Sequence, residues 1–263
     1  MDRRFTVFTA IKILLYTAAV TAVRIACGKY LGAPLDRLMP SVIAALLTWG
    51  MIYFGEHNKP SFFSLGNTGE SVVVGLTSSV LVYAIPVYIL WSTDSIKFYS
   101  SDDGDILSAL CYAVDEGLFP AIVIFGYIFH MLWAFASDRH AVVISIIIYF
   151  MYVMLYRYDI ISALARGELV SSNSVTLVNI ILLAVSVAVM ELAFGDMLST
   201  ASYLFMLCFM EYTAAKFLHI GMFGRAMTNG MEMYSLPTVM LMLIIRIITF
   251  VIYILAKHKK NTE

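Results

Sequence analysis

Two adjacent carboxylates, Asp115 and Glu116, stand at the mouth of a long apolar stretch. The run is Ala113-Val114-Asp115-Glu116-Gly117-Leu118-Phe119-Pro120. A charge near the centre of a bilayer costs about 2.5–3.5 kcal/mol on insertion scales, so acids kept there mark a candidate functional site. Two readings are open for the pair. It can act at membrane depth, where a carboxylate serves as a general base. It can equally sit at the water interface and cap a helix that begins near Gly117. Four other places put charge inside apolar segments: Glu191 with Asp196, Glu211, Lys216 and Arg246. Arg246 lies in the middle of its segment, and a guanidinium stays charged there, so it requires a carboxylate. Glu211, Glu191 and Glu116 are its candidate partners, in a pair that serves structure or lines a site. His130 lies far along the segment of Glu116, so the two share a local site only if that helix breaks. His219 closes a later segment, two turns beyond Glu211. A lone intramembrane histidine is more often hydrogen-bonded structure than a ligand. No H-E-x-x-H, G-x-S-x-G or P-loop pattern occurs, which leaves cofactor and metal unassigned.

The elements that must position these residues are membrane helices. The chain is 61% hydrophobic and 13% charged, against about 25% charged residues in a soluble domain. This is the composition of an all-α polytopic membrane protein forming a single transmembrane domain over residues 1–263. The net charge of −1 argues against a nucleic-acid partner. Cys27, Cys111 and Cys208 lie far apart without a C-x-x-C pair, so they read as small buried apolar residues.

A spanning helix needs about 20 mostly apolar residues. Eight segments qualify as helices of one bundle: 5–27, 35–54, 71–91, 106–136, 141–156, 177–194, 200–218 and 234–256. Gly28, Gly32 and Pro34 are expected to end the first, with Lys12 and Arg24 snorkelling toward its two ends. Pro86 is a kink site in the third. The fourth is long enough to tilt or to break near Gly117 and Pro120. Asp138-Arg139-His140 is expected as a turn before the fifth. The apolar run 175–218 is too long for one span at about 1.5 Å per residue, so it must break at Gly195-Asp196 to Ser199. The segment Ser61-Phe62-Phe63-Ser64-Leu65-Gly66 reads as an interfacial piece. Asp94, Asp102, Asp103 and Asp105 form an acidic loop without the full EF-hand pattern. Eight spans put both termini on one side. The basic residues of the loops divide evenly, so the cytoplasmic assignment of both termini rests on Arg3, Arg4 and the C-terminal lysines.

In these features the chain resembles the CAAX prenyl protease type II and bacteriocin-processing family of intramembrane proteases. Asp115-Glu116-Gly117-Leu118-Phe119-Pro120-Ala121 is similar to the family's Glu-Glu-Leu-Leu-Phe-Arg-Gly, with Pro120 at the arginine position. Phe63-Ser64-Leu65-Gly66 is similar to its lead-in. Phe150 stands where the second motif begins, and Met154 holds that motif's histidine position. The third motif falls near 208–216, where Glu211 is the nearest polar group and His219 lies beyond it. The resemblance implies an eight-helix peptidase acting on membrane-associated or lipidated peptides. Glu116 would be its general base, Asp115 would orient it, and Glu211 or His219 would contribute from the seventh helix. With both family histidine positions changed, it equally implies an inactive relative serving as a membrane binding, immunity or chaperone-like partner. Membrane lipids and a membrane-associated peptide or partner membrane protein are the expected partners, in the cell's inner (plasma) membrane. A small transporter, with buried charges lining a path, is a further reading. Tyr158-Asp159, Phe194-Gly195-Asp196 and Leu236-Pro237 also resemble motifs of presenilin-type aspartyl proteases, in which two aspartates share a proton.

Overall fold

The structure, a computed structural model, describes residues 7–55, 68–92, 106–157, 174–194 and 197–217, with single positions 244, 247, 248 and 251. Helices are α1 (Val7–Tyr30), α2 (Leu35–Gly55), α3 (Thr68–Ser92), α4 (Ile106–Phe135), α5 (Asp138–Tyr152), α6 (Ser174–Phe194) and α7 (Met197–Phe217). A π-helical turn, Val153–Arg157, extends α5. No strand occurs among the described residues. Among them, five helices are long and apolar enough to cross a membrane: Val7–Tyr30, Leu35–Tyr53, Gly69–Ile89, Ile106–Phe135 and Asp138–Leu155. The chain is therefore an all-helical membrane protein. Most of the expected eighth span, 234–256, lies outside the described residues. The described positions 244, 247, 248 and 251 are helical, with exposed apolar side chains at the i, i+3, i+4, i+7 spacing of one helix face.

The apolar residues that remain exposed agree with a lipid environment. Leu14, Leu15, Leu46, Val73 and Ile147 point outward from helices whose other faces are also apolar. α4 is the buried element. Phe125, Tyr127, Ile128 and Phe129 are fully enclosed, and α2, α5, α6 and α7 pack around it. α1 packs chiefly along α2, tied by a 2.6 Å hydrogen bond between the Tyr16 and Thr48 hydroxyls. α3 packs along α7. Small residues set two close approaches. A Cβ at Gly75 would strike the Ser199 carbonyl and lie 2.9 Å from Ser202 Cβ. One at Gly117 would lie 2.8 Å from the Leu204 carbonyl oxygen and 2.9 Å from Phe205 Cα. Between membrane helices, where no hydrophobic difference separates lipid from side chain, such close backbone packing is a main source of attraction.

Several boundaries differ from those expected. α1 runs through Gly28 to Tyr30, because one helical glycine costs only about 1 kcal/mol relative to alanine. Asp138-Arg139-His140 is the first turn of α5 rather than a loop. Ser137 takes an extended backbone and its hydroxyl accepts from the His140 N–H, which starts the helix three residues early. α7 resumes at Met197, so Ser199 lies inside it. α3 continues helically through position 86. Cys27, Cys111 and Cys208 are buried and form no disulfide among the described residues. The interfacial segment 61–66 and the acidic loop lie outside the described residues.

Candidate functional site

The acid pair sits within α4, not at its start, so it is no helix cap. Its backbone is unusual. After Ile106–Ala113, α4 widens into π-helix at Val114–Leu118 and again at Ala121–Phe129 before His130–Phe135 closes it. Pro120 lies between the two wide segments and carries no N–H to donate back along the helix. The Phe119 N–H bonds the Val114 carbonyl, five residues back, and the Ser41 hydroxyl of α2 donates to the same carbonyl at 2.9 Å. The helix therefore continues through proline with helical backbone angles, and π-turns of this kind gather at functional sites.

What meets the acids is Arg24 of α1. Its Nη2 lies 3.0 Å from Asp115 Oδ1 and 3.2 Å from Glu116 Oε1. Its Nη1 donates to the Tyr152 hydroxyl, which donates in turn to the Asp115 carbonyl at 3.4 Å. The guanidinium carbon lies 4.7 Å from the Phe119 ring centre and 5.2 Å from that of Tyr152. Those two rings stack at 5.9 Å. The side chains of Arg24, Asp115 and Glu116 keep 12%, 17% and 11% of their exposure, so the cluster is enclosed but not sealed. Arg24 lies six residues before Tyr30 at the end of α1, or about 9 Å of helix. Instead of snorkelling outward it turns inward onto the acids, because a carboxylate pair at that depth offers what headgroups would. The guanidinium on the acid pair thus comes from another helix.

The other expected residues fall as follows. Glu211 is buried on α7 at the same end of α4 and α7 as the acids. These helices run antiparallel: the Tyr112 and Tyr212 ring centres lie 5.3 Å apart at a tilt of 38°, and Gly117 faces Leu204. That register sets Glu211 level with Cys111 and Tyr112, about 7 Å along the axis from Glu116. Met154 is a half-buried side chain packed against the hydrophobic core. His219, Arg246, Asp196, Tyr158, Asp159 and Leu236-Pro237 lie outside the described residues, as does the side chain of Lys216.

A second polar cluster lies at the other end of α4, on the order of 20 Å away along the helix. His130 Nδ1 is 3.1 Å from the Phe125 carbonyl, and its Nε2 is 3.4 Å from Glu191 Oε1 of α6. The Thr200 hydroxyl of α7 donates to Glu191 Oε2. The Trp133 ring lies 5.7 Å from the imidazole. Glu191 and Thr200 have no exposure at all. One carboxylate thus meets side chains of two other helices, accepting from Thr200 and lying at ion-pair distance from His130, whose Nδ1 is hydrogen-bonded within α4. Glu191 is the inner partner of His130 and Thr200, far from Glu116.

Sequence reasoning missed the role of Arg24 and Tyr152 and the grouping of His130, Glu191 and Thr200. Arg24 was visible as a cation inside an apolar segment, but its partner lies 91 and 92 positions away. Among the described residues, no three His, Cys, Asp or Glu side chains gather as a metal ion would require. Comparison with protein-family models, curated proteins and solved structures found no match for this chain.

Proposed function

We propose that the protein is a non-hydrolytic membrane protein of CAAX-protease-like architecture that binds a membrane-associated peptide at the Arg24–Asp115–Glu116 cluster. The observation that carries this reading is the double engagement of the acids. One guanidinium lies on an oxygen of both Asp115 and Glu116. A general base must present its lone pair to the water it activates; these carboxylates present theirs to a permanent cation. Met154, at the second motif's histidine position, is half-buried against the core and adds no proton carrier. Eight spans in one bundle, with both termini on the cytoplasmic face of the plasma membrane, complete the reading. The seven described helices and the helical positions 244, 247, 248 and 251 support that count.

An intramembrane peptidase is the second reading. It is favoured by the residual exposure of Glu116 and by Glu211 at the same end of α4 and α7. One experiment separates them. The protein in lipid nanodiscs is given a lipidated peptide carrying basic residues and a photo-crosslinker, with cleavage followed by mass spectrometry. Binding predicts crosslinking to α4 or α5 that falls in Glu116→Gln, with the peptide intact. Cleavage that disappears in Glu116→Gln would establish the peptidase instead.

A further inference from the structure

The guanidinium of Arg24 occupies a cage that its own helix does not build. Asp115, Glu116 and Phe119 come from α4 and Tyr152 from α5. Two carboxylates and two aromatic faces around one cation are the chemistry by which proteins hold guanidinium and alkylammonium groups. α1 packs chiefly along α2 and only sparsely against α4. Arg24 therefore enters the cage as a side chain reaching across, not through close packing of its helix. The cage sets Asp115 and Glu116 against Arg24, and Asp36 and Arg37 of α2 add one charge of each sign near Asp115, so its balance stays negative and favours cations. It also keeps part of its surface open, close to the end of α1.

We infer that this cage is a receptor for a basic side chain of a membrane-associated peptide, and that Arg24 fills it as a tethered occupant which a peptide arginine or lysine displaces. The inference rests on the binding reading and names the group that is bound. The tether sets a threshold. A group held by a short link competes at an effective concentration on the order of millimolar. A soluble cation at trace level leaves Arg24 in place, whereas a peptide concentrated in the bilayer displaces it.

Chemical complementation tests this. Arg24→Ala and Arg24→Gln proteins in nanodiscs are titrated with methylguanidinium, against tetramethylammonium and sodium at equal ionic strength, with thermal unfolding as the readout. The expected result is a saturable rise in melting temperature in both variants. Half-saturation should come at least about tenfold below any effect on the wild-type chain. The rise should vanish when Asp115→Asn and Glu116→Gln are added. No rise, an equal rise in the wild type, or a rise that survives loss of both acids overturns the inference. A larger rise with tetramethylammonium overturns the assignment to a peptide side chain, in favour of a lipid ammonium headgroup. If neither variant folds unaided, they are prepared with methylguanidinium throughout. Folding only in its presence then supports the cage, and failure to fold there overturns it. Peptide crosslinking that persists without complementation overturns the cage as receptor and leaves the binding reading intact; complementation without crosslinking overturns both, since no peptide then fills the cage.

Discussion

Replacing Gly117 with alanine should loosen the contact between α4 and α7, and a matched replacement at Gly28 should not. An alanine Cβ at position 117 would lie 2.8 Å from the Leu204 oxygen, 2.9 Å from its carbonyl carbon and 2.9 Å from Phe205 Cα. Ordinary contact begins at 3.4 Å, so α7 must retreat by about 0.6 Å at this level. All three atoms are backbone, and no rotamer change relieves them. Overpacking of this kind costs about 1–3 kcal/mol. Alanine also gains about 1 kcal/mol over glycine in a helix interior, so the two effects oppose each other. At Gly28 nothing lies within 4 Å of the added Cβ, and only the gain remains. Unfolding by denaturant titration in a fixed detergent should therefore show Gly28→Ala equal to or more stable than the parent. Gly117→Ala should be less stable, and Gly117→Val less stable again. Gly117→Ala matching Gly28→Ala in stability would refute the close approach of the two helices and the register that puts Glu211 near the acid pair.

Three further outcomes are expected. Arg24→Met strands two carboxylates in an enclosed site and should cost about 3–5 kcal/mol, as breaking a buried pair does. Adding Asp115→Asn and Glu116→Gln should recover much of it, read as a double-mutant cycle in the same titration. Glu191→Leu removes the acceptor of the Thr200 hydroxyl and the partner facing His130, for about 1–3 kcal/mol per lost partner. Glu191→Gln keeps an acceptor and should lower the melting temperature less. Ser137→Ala removes the cap of α5 and should cost about 1 kcal/mol, seen as faster hydrogen exchange at residues 138–141 with the rest of the chain unchanged.

Much of the helix layout was legible because hydropathy is local. A run of apolar residues long enough to cross a bilayer must satisfy its own backbone, and only a helix does so within one segment. The expected starts and ends of the first seven helices therefore lie within a few residues of those observed. The misplacements at Gly28, Asp138 and Ser199 have two sources. A single glycine is a weak helix breaker, and a helix start depends on cap geometry that residue type only suggests. At the acid pair, the sequence pointed to Asp115 and Glu116 and to Phe119 beside them. It named Arg246 as the cation in need of an acid and treated Arg24 as a snorkelling residue.

Composition and apolar periodicity by themselves determined that this is a helical membrane protein, where its helices run and which charges are out of place. Only the tertiary structure decided which charges meet. Membrane-spanning helices are held to their length by local hydrogen bonds, but their neighbours are chosen by close packing of small residues and by polar contacts between distant segments. Gly117 against Leu204 brings α7 to α4, and the Ser41 bond to Val114 brings α2. Through that packing Arg24 reaches Asp115 and Glu116, and Glu191 lies between His130 and Thr200 at the opposite end of α4. No spacing along the chain encodes either pairing, because each depends on the rotation and depth of two helices relative to one another.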